Sequence, residues 1–188
     1  MFFYKHNFIS KHLSTLTRFT INYPSNWQIK PTDSTSSFLN IGTNKIVEFD
    51  LPSDRPTMSG RPAIDATLSI SIENTSKYLD TNTLQVKTHP LHDYVNGKIN
   101  TINSLAFGGS SDLTLKYLKD NPTTVAGNPA WIISYTGAFG GVPISYETTT
   151  YMIKDNKLYT FDFFSEQLKV PETLPVVQKM INSFKLTK

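Results

Sequence analysis

Few residues in this chain have the type and spacing to do chemistry. There are four histidines, His6, His12, His89 and His92. His89-Pro90-Leu91-His92 has H-x-x-H spacing, which can set two rings on one helix face, and Asp93 is adjacent. A zinc site needs three or four ligands. No fourth partner is indicated, so His89, His92 and Asp93 are weak metal candidates, and surface histidines at a helix start are the expectation. The glycine-rich stretches at 108–112 and 137–141 lack the Gly-Lys-Ser/Thr ending of a phosphate loop. No G-x-S-x-G nucleophile elbow occurs. Asp50 and Asp54, and Asp162 and Glu166, are close in sequence, but paired-carboxylate or calcium chemistry would require convergence in space. Asn74-Thr75-Ser76 fits a glycosylation sequon, a pattern common by chance. Cysteine is absent, which removes disulfides, thiolate nucleophiles and Cys-based metal sites. No catalytic residue, cofactor or metal is expected, and the chain reads as a non-enzyme.

Composition bounds the rest. A chain of 188 residues defaults to one domain. At 38% hydrophobic, 12% aromatic and 18% charged residues, it is globular and polar-leaning, with a β-rich fold as the natural expectation. Four of its 18 cations, Lys5, Lys11, Arg18 and Lys30, fall in residues 1–30, which hold no acid. The other 14 face 15 acids, so the body is near neutral, and nucleic-acid binding, which favours a basic stripe, is not expected.

The elements that would carry these residues follow from periodicity. Residues 1–17 read as a basic leader of uncertain order, with no apolar run long enough for a secretory signal or a membrane span. Ile9, Leu13 and Leu16 sit at helical spacing, so a short amphipathic helix touching a membrane surface is one reading and a packed or frayed leader the other. Residues 18–188 form a single domain. In 18–29, Phe19, Ile21 and Tyr23 alternate before Pro24-Ser25-Asn26, and Trp27 and Ile29 resume, which predicts a β-hairpin. Strand-like runs follow at 38–41 and 46–49, then an exposed Pro/Ser/Gly-rich loop over 52–62. In 66–73, Leu68, Ile70 and Ile72 predict a buried face opposite a solvated Thr/Ser/Glu face.

The spacing of Val95, Ile99, Ile102 and Ala106 predicts a helix over 88–106 with Thr88 as N-cap. A strand is expected at 113–119. Residues 123–135 predict a Gly127-Asn128-Pro129 turn into a strand with Trp131, Ile133 and Tyr135 on one face and Trp131 as a core anchor. After a glycine-rich connection at 137–143, strands at 144–153 and 158–164 are joined by a tight turn at 154–157, and a helix closes the chain over 171–184. With no β-α-β-α alternation, an antiparallel sheet with helices on its faces is the best architecture.

Residues 19–27, with Tyr23, Pro24 and Trp27, resemble the N-terminal Y-P-x-x-W segment of the PsbP-like family. Residues 125–130 with Gly127, Asn128 and Pro129, the strand carrying Trp131 to Tyr135, Lys157-Leu158-Tyr159 and the closing Ile181-Asn182-Ser183-Phe184 are similar to its C-terminal half. The resemblance covers about residues 18–186 and is nearest to prokaryotic, particularly archaeal, PsbP-related proteins. It implies an α+β fold, an α/β/α sandwich with a central antiparallel β-sheet flanked by helices, shared with the Mog-type nuclear import factor that binds the GTPase Ran. Plant and cyanobacterial members are extrinsic photosystem II subunits that help retain calcium and chloride or aid assembly. This chain lacks a recognisable lumenal targeting peptide or lipobox cysteine and carries the 52–62 loop, departures that separate it from a photosystem role. The expectation is a monomeric, non-catalytic binding or assembly module with an unknown protein partner, cytoplasmic or peripheral to a membrane surface through residues 1–17. A small-ligand or metal-ion binding protein is the alternative.

Overall fold

The computed structural model describes residues 8–13, 19–30, 44–55, 63–75, 90–107 and 113–187. Among these, strands β6 (Leu113–Val125), β7 (Asn128–Phe139), β8 (Val142–Lys154) and β9 (Lys157–Glu166) form an antiparallel meander. The meander continues through β5 (Ile64–Asn74) and β4 (Asn44–Pro52) to the short β3 (Gln28–Lys30), in the order β3-β4-β5-β9-β8-β7-β6. The three meander hairpins turn through Ala126-Gly127, Gly140-Gly141 and Asp155-Asn156, all six residues with positive φ. Two-residue turns of this kind match the twist of the strands they join. Ala126, at φ 50°, is the one residue of the six whose side chain neither vanishes nor bonds locally in that region. Ala126→Asn, giving Asn-Gly, should therefore raise stability by about 1 kcal/mol, read as a higher melting temperature.

A second, three-stranded sheet is formed by β1 (Phe8–Leu13), β2 (Phe19–Pro24) and β10 (Lys185–Leu186), in the order β1-β2-β10. One of two alternatives and one expectation are corrected here. Residues 8–13 are a strand paired with β2, not a helix. The hairpin over 18–29 does not form, because β2 joins the small sheet and β3 the large one. The turn between them, closed by the Trp27 N–H donating to the Pro24 carbonyl at 3.0 Å, carries the chain from one sheet to the other. Alternation reports which residues share a face, and it cannot tell a hairpin from a crossover.

Each face of the large sheet carries one helix. On one side, Leu68, Ile70, Phe161, Phe163 and Met152 share a core with Phe19, Ile21 and Tyr23 of the small sheet. The same core takes Val176, Val177, Met180 and Ile181 of α2 (Val170–Ser183). The other face gives Ile133, Tyr135, Tyr151 and Leu158 to Val95 of α1 (Pro90–Phe107). Strand alternation sets these two groups on opposite sides. Among the described residues the fold is a sheet-dominated antiparallel α+β architecture with one helix on each face of the large sheet. Phe184, just past α2, joins both sheets, with ring centroids 5.3 Å from Phe19 and 5.0 Å from Phe161.

Other boundaries moved for identifiable reasons. Strand β6 runs on through Pro122 because it is an edge strand, where a missing N–H costs no ladder bond. The turn expected at 127–129 sits at Ala126-Gly127, with Asn128 already paired to Val125. The 137–143 connection is instead the end of β7, a two-glycine turn and the start of β8. The second face of β5 is buried, not solvated: Ser69, Ser71 and Glu73 are all withdrawn from water. Residues 38–41, 56–62, Thr88 and most of residues 1–17 lie outside the described residues. No described helix is long and apolar enough to cross a membrane.

Candidate functional site

Two of the three metal candidates fall within the described residues. His92 and Asp93 lie in the first turns of α1, and His89 is outside the described residues. The His92 ring packs edge-on against Trp131, centroids 5.0 Å apart, and Asn96 lies 3.2 Å from its Nδ1. Among the described residues no group of three His, Asp or Glu could hold a metal.

What His92 packs against is a polar lock at the sheet edge, between β6 and β7. Trp131, half-buried rather than a core anchor, donates its indole N–H to Asp120 Oδ2 at 2.9 Å, and the Tyr117 hydroxyl donates to Oδ1. These bonds, first Tyr117's and then Trp131's, hold the Asp120 carboxyl below its usual range against the effect of burial. Burial, joined by Asp120, pushes the Tyr117 phenol up to about 12. The bulge between Tyr117 and Lys119 lets both Tyr117 and Asp120 reach this contact.

The other family-motif residues are structural. Tyr23, Trp27, Tyr159 and Phe184 are buried in the α2-side core. Gly127 supplies positive φ, Asn128 caps its turn by donating to the Ala126 carbonyl at 3.0 Å, and Pro129 is exposed at the start of β7.

Three strands also bring together a half-buried acid group that sequence spacing does not reveal. Tyr135, Glu147 and Phe164 are direct cross-strand neighbours on the α1-side face. Thr149 donates to Asp162 at 2.8 Å, two register pairs along on the same face. Burial lifts the Glu147 carboxyl above its ordinary value, the Asp162 charge adds to the rise, and the Tyr135 hydrogen bond opposes it. Burial, with Glu147 next, also raises the Tyr135 phenol. A raised folded carboxyl contributes stability that is full below the ordinary glutamate value and is lost as pH rises through the folded one. Glu147→Gln, which still accepts from Tyr135, should therefore melt above the parent at about pH 8, the gap narrowing toward about pH 4.

The exposed apolar side chains are concentrated. Among the described residues the large ones are Leu118, Phe139, Val142, Ile144, Phe164 and Leu168. All but Leu118 lie at one end of the sheet, where β7, β8 and β9 reach the 3-10 turn Gln167–Lys169. Phe139 is 57% exposed, Val142 64%, Ile144 47% and Leu168 87%. Phe139 and Val142 face each other across the Gly140-Gly141 turn, and β9 ends opposite Ser145, so the hairpin tip overhangs its neighbour. Residues 135–146 contain no charged side chain. Gly137 keeps this tip closed, since a Cβ there would stand 2.5 Å from Ser145 Oγ. The glycines of the expected connection are the turn and packing positions of a paired apolar tip. The uncharged run was the sequence signal that could have found it.

No protein-family model matches the chain, and no curated protein matches it in sequence. Solved structures do share its fold. Cyanobacterial PsbP (CyanoP) from Synechocystis sp. PCC 6803 matches with a TM-score of 0.62 at 17% identity, over 97% of this chain and 94% of that one. A protein of unknown function, PA94 from Pseudomonas aeruginosa, matches with a TM-score of 0.52 at 14% identity, over 97% and 98%. A Mog1 point mutant matches with a TM-score of 0.50 at 9% identity, over 96% of each chain. At these identities the likeness is one of fold, and the chain has a PsbP-type fold.

Proposed function

We propose that the protein is a non-catalytic binding or assembly module that engages a protein partner through the end of its β7–β8 hairpin. One observation carries this reading: among the described residues, five of the six exposed large apolar side chains gather at one end of the sheet, around the uncharged turn of the β7–β8 hairpin. Monomeric proteins rarely expose contiguous apolar surface without a use for it. A preformed hairpin also loses little conformational freedom when it docks. The PsbP-type fold is compatible with such a role and assigns no partner.

The test is a Phe139→Ser, Val142→Ser double variant in affinity purification from native extract. Both side chains are exposed, so its melting temperature should match the parent's. The expected result is loss of the proteins that co-purify with the parent. Undiminished co-purification by a folded double variant would sink the proposal.

A further inference from the structure

The apolar tip has a charged rim, and the rim says what kind of segment fits. Beside Leu168 and the end of β9, Arg55 pairs with Glu166 and, at 3.0 Å, with Asp65. Lys169 lies 3.4 Å from Asp65 and 3.7 Å from Glu172. Two cations thus stand among three carboxylates, leaving the network one negative charge in excess. Asp65 is buried and anchored by both cations, and the Arg55 guanidinium is shared between two acids. Glu172 differs: its side chain is 74% exposed, and its ion pair to Lys169 is the loosest of the group. Glu166 is also one-third exposed, directly across from Ser145 at the base of the hairpin.

We infer that this end of the sheet receives an apolar segment of a partner protein flanked by lysine or arginine, whose cation meets Glu172 and Glu166 while its apolar side chains cover Val142, Ile144 and Leu168. The inference rests on the hairpin end being the binding surface. Charge complementarity carries it further. An acidic excess at the rim attracts a basic flank and repels an acidic one, which sets partner choice and encounter rate more than total affinity. The same excess opposes an anionic lipid surface: residues 135–146 carry no lysine or arginine, and the rim cations Arg55 and Lys169 are already paired with carboxylates.

The test uses the full chain, isotope-labelled for NMR. It is titrated with three synthetic peptides of one apolar core, Leu-Val-Phe-Leu, flanked on each side by two lysines, two glutamates or two serines. The lysine-flanked peptide should perturb the resonances of Phe139, Val142, Ile144 and Leu168. It should bind about fivefold or more tighter than the glutamate-flanked one at low salt, the difference shrinking at about 0.5 M salt. Glu172→Gln, an exposed substitution, should weaken that preference in a protein whose melting temperature changes little. Equal binding of all three peptides at the hairpin end would overturn the basic-flank inference and leave the binding surface standing. Perturbations elsewhere, or no binding by any peptide, would overturn both. Sedimentation of the protein with phosphatidylglycerol vesicles, in preference to peptide binding, would replace the protein segment with a lipid surface.

Discussion

Phe184→Ala should lower the unfolding free energy by about 3–5 kcal/mol, the range for removing a fully buried aromatic ring. Phe184 is fully buried, with Phe19 of the small sheet on one side and Phe161 and Tyr159 of the large sheet on the other. Its backbone N–H donates to the Ile181 carbonyl at 3.1 Å, ending α2 and turning the chain into β10. One ring thus joins two sheets and a helix, and no neighbour can fill its space without moving an element. Urea unfolding measures the loss. Phe139→Ala, at the exposed hairpin tip, is the contrast and should cost no more than about 0.5 kcal/mol. A loss below about 1 kcal/mol for Phe184→Ala would mean the two sheets do not share the core described.

Asp120→Ala should cost about 2–3 kcal/mol, from two charge-assisted hydrogen bonds lost at a half-buried site. The Tyr117 hydroxyl and the Trp131 indole N–H would both lose their acceptor. The sign of the pH dependence follows from the depressed Asp120 value. Its stabilisation is present above the ordinary aspartate value and is lost as pH falls through the folded one. The parent's advantage over Asp120→Ala should therefore be full at neutral pH and shrink on acidification, while Trp131 fluorescence in the variant shifts toward that of a wetter indole. Asp120→Asn, keeping one acceptor oxygen, should fall between. An advantage that does not change with pH would show that the carboxylate charge is not what holds the lock.

The parts of the fold legible in the sequence were those written in local chemistry. The alternation of Leu68, Ile70 and Ile72 placed β5 with its core face inward. Asp155-Asn156 marked a hairpin turn, since both residues tolerate positive φ. Val177 and Ile181 gave the buried stripe of α2, which Val176 and Met180 widen. Long-range partners were not legible. Residues 18–29 have hairpin chemistry, yet the two strands do not pair with each other: β2 pairs with β1 before it and with β10 near the other end of the chain, and β3 pairs with β4. The polar face of β5 looked solvated because Ser69, Ser71 and Glu73 are polar, and burial of that face is settled by tertiary context. At the candidate site, Glu147 and Asp162 are 15 residues apart in sequence and meet only through β8–β9 register. The hairpin tip was hidden by its glycines: Gly140 and Gly141 read as part of a connection between strands, where positive φ makes them the turn of a paired hairpin.

The central claim, that the β7–β8 hairpin end is the surface that meets a partner, is tested most directly by site-specific photo-cross-linking in native extract. A photoreactive phenylalanine analogue is placed at Val142 or at Leu168, with Asn100 on the exposed side of α1 as the control. The account predicts the same discrete cross-linked species from positions 142 and 168 and none from position 100. Cross-links at position 100 with none at 142 or 168 would contradict it and move the binding surface to the helical face.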